Sequence, residues 1–503
     1  MAANLEEHHL PNRLDGKNHE SSDMSKDINT ELGVEREKDA VSIPGTSEPV
    51  NSSWQKLVNL GVELRGLEPI PLELRITSMF SHYSQKRPWG FFRKYYLNPQ
   101  NMQYLADMTA LGLQDWYRGR HDAWLILLIP SCYILTLAPL LGMRQWCQFR
   151  YVYGKYFNQV ISFVGLSGTA IFGIVASVRG GQTLASVNPR TLSIEGGIAI
   201  ILLIACFIGF MGYKVLHGFA RYAWIPAAFG LVILIGCAGD RLHQQAPSRI
   251  SFAWGGIIGD YACYMPMKAP RFRLAFYFLS GFGVIFSLLM ILGAALGGAA
   301  LMIPTWATAL ERGGTGAVVG EILISRLGGF GRFVLTILAL IVVITSARDI
   351  YSISLAAQAV VPYLERVYRA ILALITTGVL IGVAIPASKS FISSLSALVS
   401  ILSYTSRTMV TTFLIEWFWF RRTNPDGMDP AIWDDGKALP SGIPAIATFV
   451  IDWGPIVCGM DTVWLRGPLA EIVGDLGWEL AIITAIVVYI PLRTLEIKYR
   501  GRL

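Results

Sequence analysis

At 503 residues, 53% hydrophobic and only 15% charged, the chain carries too few charges to coat a water-soluble core of its size, since an average globular chain has roughly 25%. The 49 glycines and a mean hydropathy of +0.46 point to a polytopic helical membrane protein and exclude a collagen, a coiled coil and a wholly disordered chain. The formal net charge of +7 needs no acidic ligand, because Lys and Arg at the ends of apolar spans set topology, and no basic, aromatic-interleaved segment suggests nucleic acid.

Residues 1–85 are expected to form a disordered cytoplasmic tail, the first fifty being rich in Glu, Asp, Lys, Asn and Ser, with residues 86–503 forming the transmembrane domain. No apolar stretch follows Met1, so a cleaved signal peptide is not expected. Apolar runs then recur at about 123–142, 159–178, 194–213, 219–238, 274–303, 330–360, 368–386, 391–420, 443–464 and 478–495. Each approaches the ~20 residues that cross hydrocarbon as a helix. Two poorer candidates, 89–113 with Arg93, Lys94, Pro99 and Asp107, and the short, glycine-bearing 251–266, bring the expected total to twelve crossings.

With the tail inside, the inner joints carry Arg144, Arg150 and Lys155, then Lys214 and Arg221, then Lys268, Arg271 and Arg273, then Arg421 and Arg422. This bias predicts both termini in the cytoplasm. The two poor spans are the first and sixth crossings, each opening a set of five. Interrupted helices at matching positions of two halves predict an inverted-repeat transporter whose substrate sits where the helices break. The alternative is that the first is a re-entrant or interfacial segment.

Ionisable groups inside hydrocarbon are rare and mark function. In crossing six, Trp254 and the glycines up to Asp260 offer a π-face beside unwound backbone; Trp254 otherwise belongs to an interfacial belt, and Asp260 either couples protons or caps broken backbone. In crossing eight, Asp349 either accepts from ring N–H donors or pairs internally with Arg348 or Arg407. In crossing three, Phe172 and Ala176 are four apart and share a face, as packing or as pocket. Arg407 in crossing ten is read as the partner of a buried carboxylate. No CxxC pair, histidine cluster or paired catalytic constellation is present, so neither a metal, a cofactor nor enzyme chemistry is expected.

The motifs GlyMetArgGln at 142–145, GlyGlyGlnThrLeu at 180–184, GlyTyrLysValLeuHis at 212–217, ArgTyrAlaTrpIlePro at 221–226, AspTyrAlaCysTyrMetPro at 260–266, AspIleTyrSer at 349–352 with Gln358, TrpAspAspGlyLysAlaLeuProSerGlyIle at 433–443 and LeuGluIleLysTyr at 495–499 resemble, in order, the fungal purine–cytosine permeases of the nucleobase–cation symporter-1 (NCS1) family. The resemblance runs from about residue 60 to the C-terminus. It implies a LeuT-like 5+5 inverted repeat plus two C-terminal helices, and proton-coupled uptake of purines or cytosine across the plasma membrane.

Carried over by position, the family's stacking tryptophan of crossing six falls on Trp254 and that of crossing three on Phe172. The base-reading amide falls on Ala176, the base-reading asparagine of crossing eight on Asp349, its preceding Asn pair on Thr345 and Ser346, and a proline on Arg348. An ionised Asp only accepts where Asn both donates and accepts, and Ala176 has no amide. Asp260 is nominated as the proton carrier, and Val342, Val343 and Ile344 stand where a sodium-coupled relative would place hydroxyls. The expected partners are thus a nucleobase, a proton and the bilayer. The alternatives are a transporter of another planar heterocycle and a non-transporting paralogue.

Overall fold

The computed structural model describes residues 56, 62, 66–70, 123–244, 271–272, 275–276, 291–293, 295–390, 392–421, 427–462 and 464–501. The expected first and sixth crossings, Trp254, Asp260, residues 1–55 and part of the expected seventh crossing lie outside them.

The described helices follow the apolar runs. They are α1 (Ala123–Leu141), α2 (Gln145–Ala185), α3 (Ile194–Met211), α4 (Tyr213–Ala238), α5 (Pro304–Val360), α6 (Arg369–Ser390), α7 (Ile392–Ile415), α8 (Ile443–Gly459), α9 (Pro468–Val473) and α10 (Gly477–Arg500). Five of them, α2, α3, α5, α6 and α10, are long and apolar enough to cross a membrane by length and composition. Apart from an isolated bridge between Asp461 and Arg466, no strand pairing occurs among the described residues.

Two helices are longer than their apolar runs because glycines bend them. α2 has 41 residues and turns at Gly154 (φ 68°), so the expected third crossing is its second limb and residues 145–153 are a separate first limb. The bend interlocks with the lead into α8. A Cβ on Gly154 would meet the Pro440 carbonyl at 2.5 Å and the Ser441 carbonyl at 3.0 Å, and Gly442 (φ 78°) faces the Tyr153 carbonyl in return. Only glycine takes these torsions at such close approach without strain. α5, 57 residues, is broken at Gly313, Gly314 and Gly328, and the expected eighth crossing is its last limb.

Packing is inverted relative to a water-soluble bundle. α4 exposes Phe219, Tyr222, Ile225, Phe229 and Val232, while α5 buries Thr345, Ser346, Arg348, Asp349, Ser352, Ser354 and Gln358. An apolar exterior suits hydrocarbon, and polar side chains turn inward where protein groups can satisfy them. α5 lies at the centre, packed on α2, α3 and α4, while α10 holds α7 and α8.

Several basic residues of the joints are buried anchors. Arg369 donates to the Gly209 carbonyl at 2.9 Å and the Phe210 carbonyl at 3.1 Å, closing the C-terminal end of α3, where a cation also complements the helix dipole. Arg150 pairs with Asp434 at 2.6 Å and Glu365 at 3.0 Å. Glu416, fully buried in the π-helical turn that ends α7, accepts from Arg421 at 2.7 Å, Tyr489 at 2.8 Å and Arg493 at 2.8 and 2.9 Å. This cluster ties α10 to the end of α7.

Residues 66–70 fall within the segment expected as tail and pack on the helical domain. The Ile70 N–H donates to the Gly142 carbonyl at 2.9 Å, Arg144 Nε to the Gly66 carbonyl at 2.8 Å and the Cys147 thiol to the Leu67 carbonyl at 3.0 Å. Leu67 and Ile70 are buried beside them, which is the apolar gain that holds this stretch down.

Candidate functional site

A cavity lies between the second limb of α2, the last limb of α5 and the middle of α7. Phe172 and Thr169 reach it from α2, Arg348 and Asp349 from α5, and Thr405, Ser406 and Met409 from α7. Small residues make the room. Gly165 and Gly168 of α2 share one face, three residues apart, and a Cβ on Gly168 would meet nothing closer than Leu402 at 3.7 Å. Gly165 instead receives the edge of the Trp146 indole, which comes from the first limb of α2. The Gly154 bend therefore folds Trp146 back against its own helix and places it on the cavity wall.

The sequence-derived residues divide as follows. Phe172 and Asp349 face the same cavity. Ala176, one turn beyond Phe172, is buried among Ile174, Val178 and Ile344 and does not line it. A methyl side chain is too short to reach past its own packing layer. Trp254 and Asp260 lie outside the described residues.

Arg348 and Asp349 pair with each other. Arg348 donates to Asp349 Oδ1 from Nε at 3.1 Å and from Nη2 at 2.8 Å. Adjacent helix positions point about 100° apart, but the long arginine stem curls back to close the gap. The guanidinium also lies 5.9 Å from the Phe172 ring centroid, within cation–π range. Asp349 Oδ2 has no hydrogen-bond partner among the described residues, although the side chain is fully buried. It stands 3.4 Å from where a Cβ on Gly173 would sit, so glycine there keeps the carboxylate unobstructed.

Ser406 Oγ and Trp146 Nε1, on residues that also line the cavity, have no hydrogen-bond partner among the described residues. The hydroxyls of Thr169 and Thr405 donate to their own helices, to the Gly165 carbonyl at 3.0 Å and the Leu402 carbonyl at 2.7 Å. Chemically the cavity offers an aromatic face, a carboxylate oxygen that accepts, a hydroxyl that donates or accepts, and an indole N–H that donates. Mostly apolar walls with a few convergent polar atoms are what a small planar ligand needs.

Trp146, Thr405, Ser406 and Met409 were not singled out from sequence. For Trp146 the available signal was the glycine pair at 165 and 168, which marks a surface of close approach. For α7 it was the run of hydroxyl residues from Ser403 to Thr408 in an otherwise apolar span.

Comparison with known proteins agrees with this architecture. Residues 248–424 match the family profile described as permease for cytosine/purines, uracil, thiamine, allantoin. The chain is 28% identical to the purine-cytosine permease FCY21 of Saccharomyces cerevisiae over 508 residues, covering 92% of this chain and 93% of that protein. It is also 28% identical to the purine-cytosine permease fcyB of Emericella nidulans over 505 residues, covering 92% and 95% of the two chains. The fold is shared with Mhp1, a nucleobase-cation-symport-1 family transporter solved in a closed conformation with bromovinylhydantoin bound. The TM-score is 0.56 at 11% identity, over 90% of this chain and 96% of that one. Likeness to purine-cytosine permeases along most of the sequence, with a helical fold shared with Mhp1, makes the chain similar to nucleobase permeases and supports a multi-pass membrane transporter rather than an enzyme.

Proposed function

We propose that the chain carries a nucleobase-like heterocycle, cytosine or a purine, into the cell across the plasma membrane together with a proton, with both termini in the cytoplasm. The observation that carries this reading is the cavity lined by Phe172, Asp349 and Ser406, in which Asp349 Oδ2 and Ser406 Oγ have no partner among the described residues. A planar ring stacked on Phe172 gains about 0.5–1.5 kcal/mol beyond its area burial. The amino group of cytosine or adenine supplies the donor that Asp349 Oδ2 lacks. Trp254 is proposed as the opposing wall and Asp260 as a proton carrier.

Protons are preferred to sodium because Val342, Val343 and Ile344 are buried apolar residues with no side-chain oxygen to offer. Sodium requires several oxygen ligands. One feature favours a second reading. Arg348 puts a guanidinium in the cavity wall, and a planar heterocycle with exocyclic oxygens would bind there as well.

The deciding experiment is uptake of radiolabelled cytosine, adenine, hypoxanthine and uracil in a transport-deficient cell, with and without a protonophore. Concentrative uptake of cytosine or a purine that collapses with the protonophore and ignores sodium replacement supports the proposal. Absence of uptake of all four, with the protein at the cell surface, refutes it. Phe172→Ala is expected to abolish that uptake, and unchanged uptake would remove Phe172 from the site.

A further inference from the structure

A second buried carboxylate lies one helix behind the cavity. Asp452 sits in the middle of α8, an apolar helix, and is fully buried. Thr408 of α7 donates its hydroxyl to Asp452 Oδ2, and Oδ1 has no partner among the described residues. No Lys, Arg or His among the described residues forms an ion pair with it. Arg407, next to Thr408 on α7, forms no ion pair with Asp452 either.

Several other ionisable groups on the helices around Asp452 have partners of their own. Tyr153 of α2 reaches toward the same interior, its hydroxyl 2.9 Å from Thr412 Oγ1, and that hydroxyl in turn donates to the Thr408 carbonyl at 2.9 Å. On α10, Tyr489 and Arg493 are bound to Glu416, Glu496 is bound to Arg493, and Glu479 is half-buried at the start of the helix. On α9, Glu471 is exposed. Asp452 is thus a carboxylate inside an apolar helix with one hydroxyl donor and no compensating cation among the described residues.

Isolated ionised carboxylates are strongly disfavoured in such a place, and the group neutralises by taking a proton. Its one tether is to α7, and α7 also builds the cavity. Thr405, three residues before Thr408, and Met409, the residue after it, both line that space. A proton on Asp452 and a ligand in the cavity therefore act on the same stretch of helix.

We infer that Asp452 is a proton-binding site coupled to the substrate cavity through Thr408 and α7. The proton resides on Asp452 while α7 and α8 are closed on each other, and it leaves when their separation admits water. By linkage, whatever factor protonation adds to substrate affinity, substrate adds to proton affinity. This inference rests on the proton-coupled reading above and assigns to it a residue on a different helix from Asp260.

The test uses the purified full-length chain in liposomes with labelled cytosine as the probe, driven by a pH gradient of two units. At one proton per base such a gradient supports about a hundredfold accumulation. In Asp452→Asn, accumulation is expected to fall to equilibration, while cytosine-for-cytosine exchange at equal pH, which moves no net protons, continues. The rise in cytosine affinity at low pH is expected to vanish with it. Asp452→Asn liposomes that accumulate cytosine as the parent does overturn the inference and leave the transport reading standing. A parent chain that exchanges cytosine but never accumulates it overturns proton coupling itself, and this inference with it. If Asp452→Asn does not fold, Thr408→Val decides. It removes the donor and keeps the shape, so the pH dependence of cytosine affinity must shift, and a profile superimposable on the parent's overturns the inference.

Discussion

Replacing Asp349 by Asn separates the two roles that its carboxylate can play. Oδ1 receives two charge-assisted hydrogen bonds from Arg348, and Oδ2 has no partner among the described residues. Charge-assisted bonds contribute about 1.5–3 kcal/mol each and neutral ones about 1, so Asp349→Asn weakens the pair by roughly 1–4 kcal/mol. That is a smaller loss than the 3–5 kcal/mol of removing one partner of a buried ion pair outright, because Asn still accepts. The thermal midpoint of the purified protein in detergent should therefore drop, and the doubly apolar variant Arg348→Met/Asp349→Leu should recover most of the loss while failing to transport. On the ligand side, Asn presents an amide that donates where the carboxylate only accepted. Competition by xanthine and other oxo-purines against labelled cytosine should strengthen, and an acceptor–donor mismatch of about 1–3 kcal/mol amounts to a five- to hundredfold change in relative affinity. An Asp349→Asn chain with an unchanged midpoint would refute the energetic account of the pair. An unchanged ranking of bases would remove Oδ2 from substrate recognition.

Gly165→Ala should push the Trp146 indole off the cavity wall, because a Cβ there would overlap Cη2 and lie 2.8 Å and 3.0 Å from Cζ3 and Cζ2; a destabilisation of about 1–3 kcal/mol, relieved in Gly165→Ala/Trp146→Leu, is the expected double-mutant outcome in a thermal-shift assay. Glu416→Ala leaves Arg421 and Arg493 buried without their shared carboxylate, so about 3–5 kcal/mol of stability should be lost, read as a collapse of monodisperse protein on size exclusion. Asp475, in the connection between α9 and α10, has its carboxyl raised above the ordinary range by burial, against the Tyr404 hydrogen bond that lowers it. Its contribution to stability is present below the usual value of about 4 and is lost as pH climbs through the raised value, so the thermal midpoint should fall with rising pH across that window and Asp475→Asn should flatten the slope.

The membrane helices were legible because hydrophobic length is a one-dimensional property. α1, α3, α4, α6 and α8 all coincide with apolar runs to within a few residues. What was not legible depends on the third dimension. The first limb of α2 and the first part of α5 carry Arg150 and Glu311 in a polar-looking sequence, and only the turns at Gly154 and at Gly313 and Gly314 show how they continue into the spans. Arg144 and Arg150 read as topology signals, and they are buried, with Arg144 Nη1 2.9 Å from the Tyr351 hydroxyl and Arg150 on Asp434 and Glu365. A charge count at a helix end says which side of the membrane it favours but not whether the side chain reaches solvent. The Phe172 and Asp349 positions were legible through resemblance, whereas Trp146 joins the site only after a bend that no periodicity records.

Asp452 was legible in principle and still went unremarked, which bears on how such sites are found. It is the single charged residue of Ile443–Gly459, and an acid alone in an apolar helix is a functional signal by the same energetic rule that singles out Asp260 and Asp349. The resemblance implies substrate reading at crossings three, six and eight, and α8 is none of these. Under the proposed proton coupling, an ion site can sense the substrate without touching it, through a helix that both share. The structure puts Asp452 behind α7, one hydroxyl away from a helix that lines the cavity. Asp349 is the converse case, a carboxylate at the cavity whose charge is already countered by Arg348 and which therefore has less to gain from a proton. Asp349 and Asp452 each keep an oxygen without a partner among the described residues, and the one with the cation is suited to read a base while the one without it is suited to carry a proton.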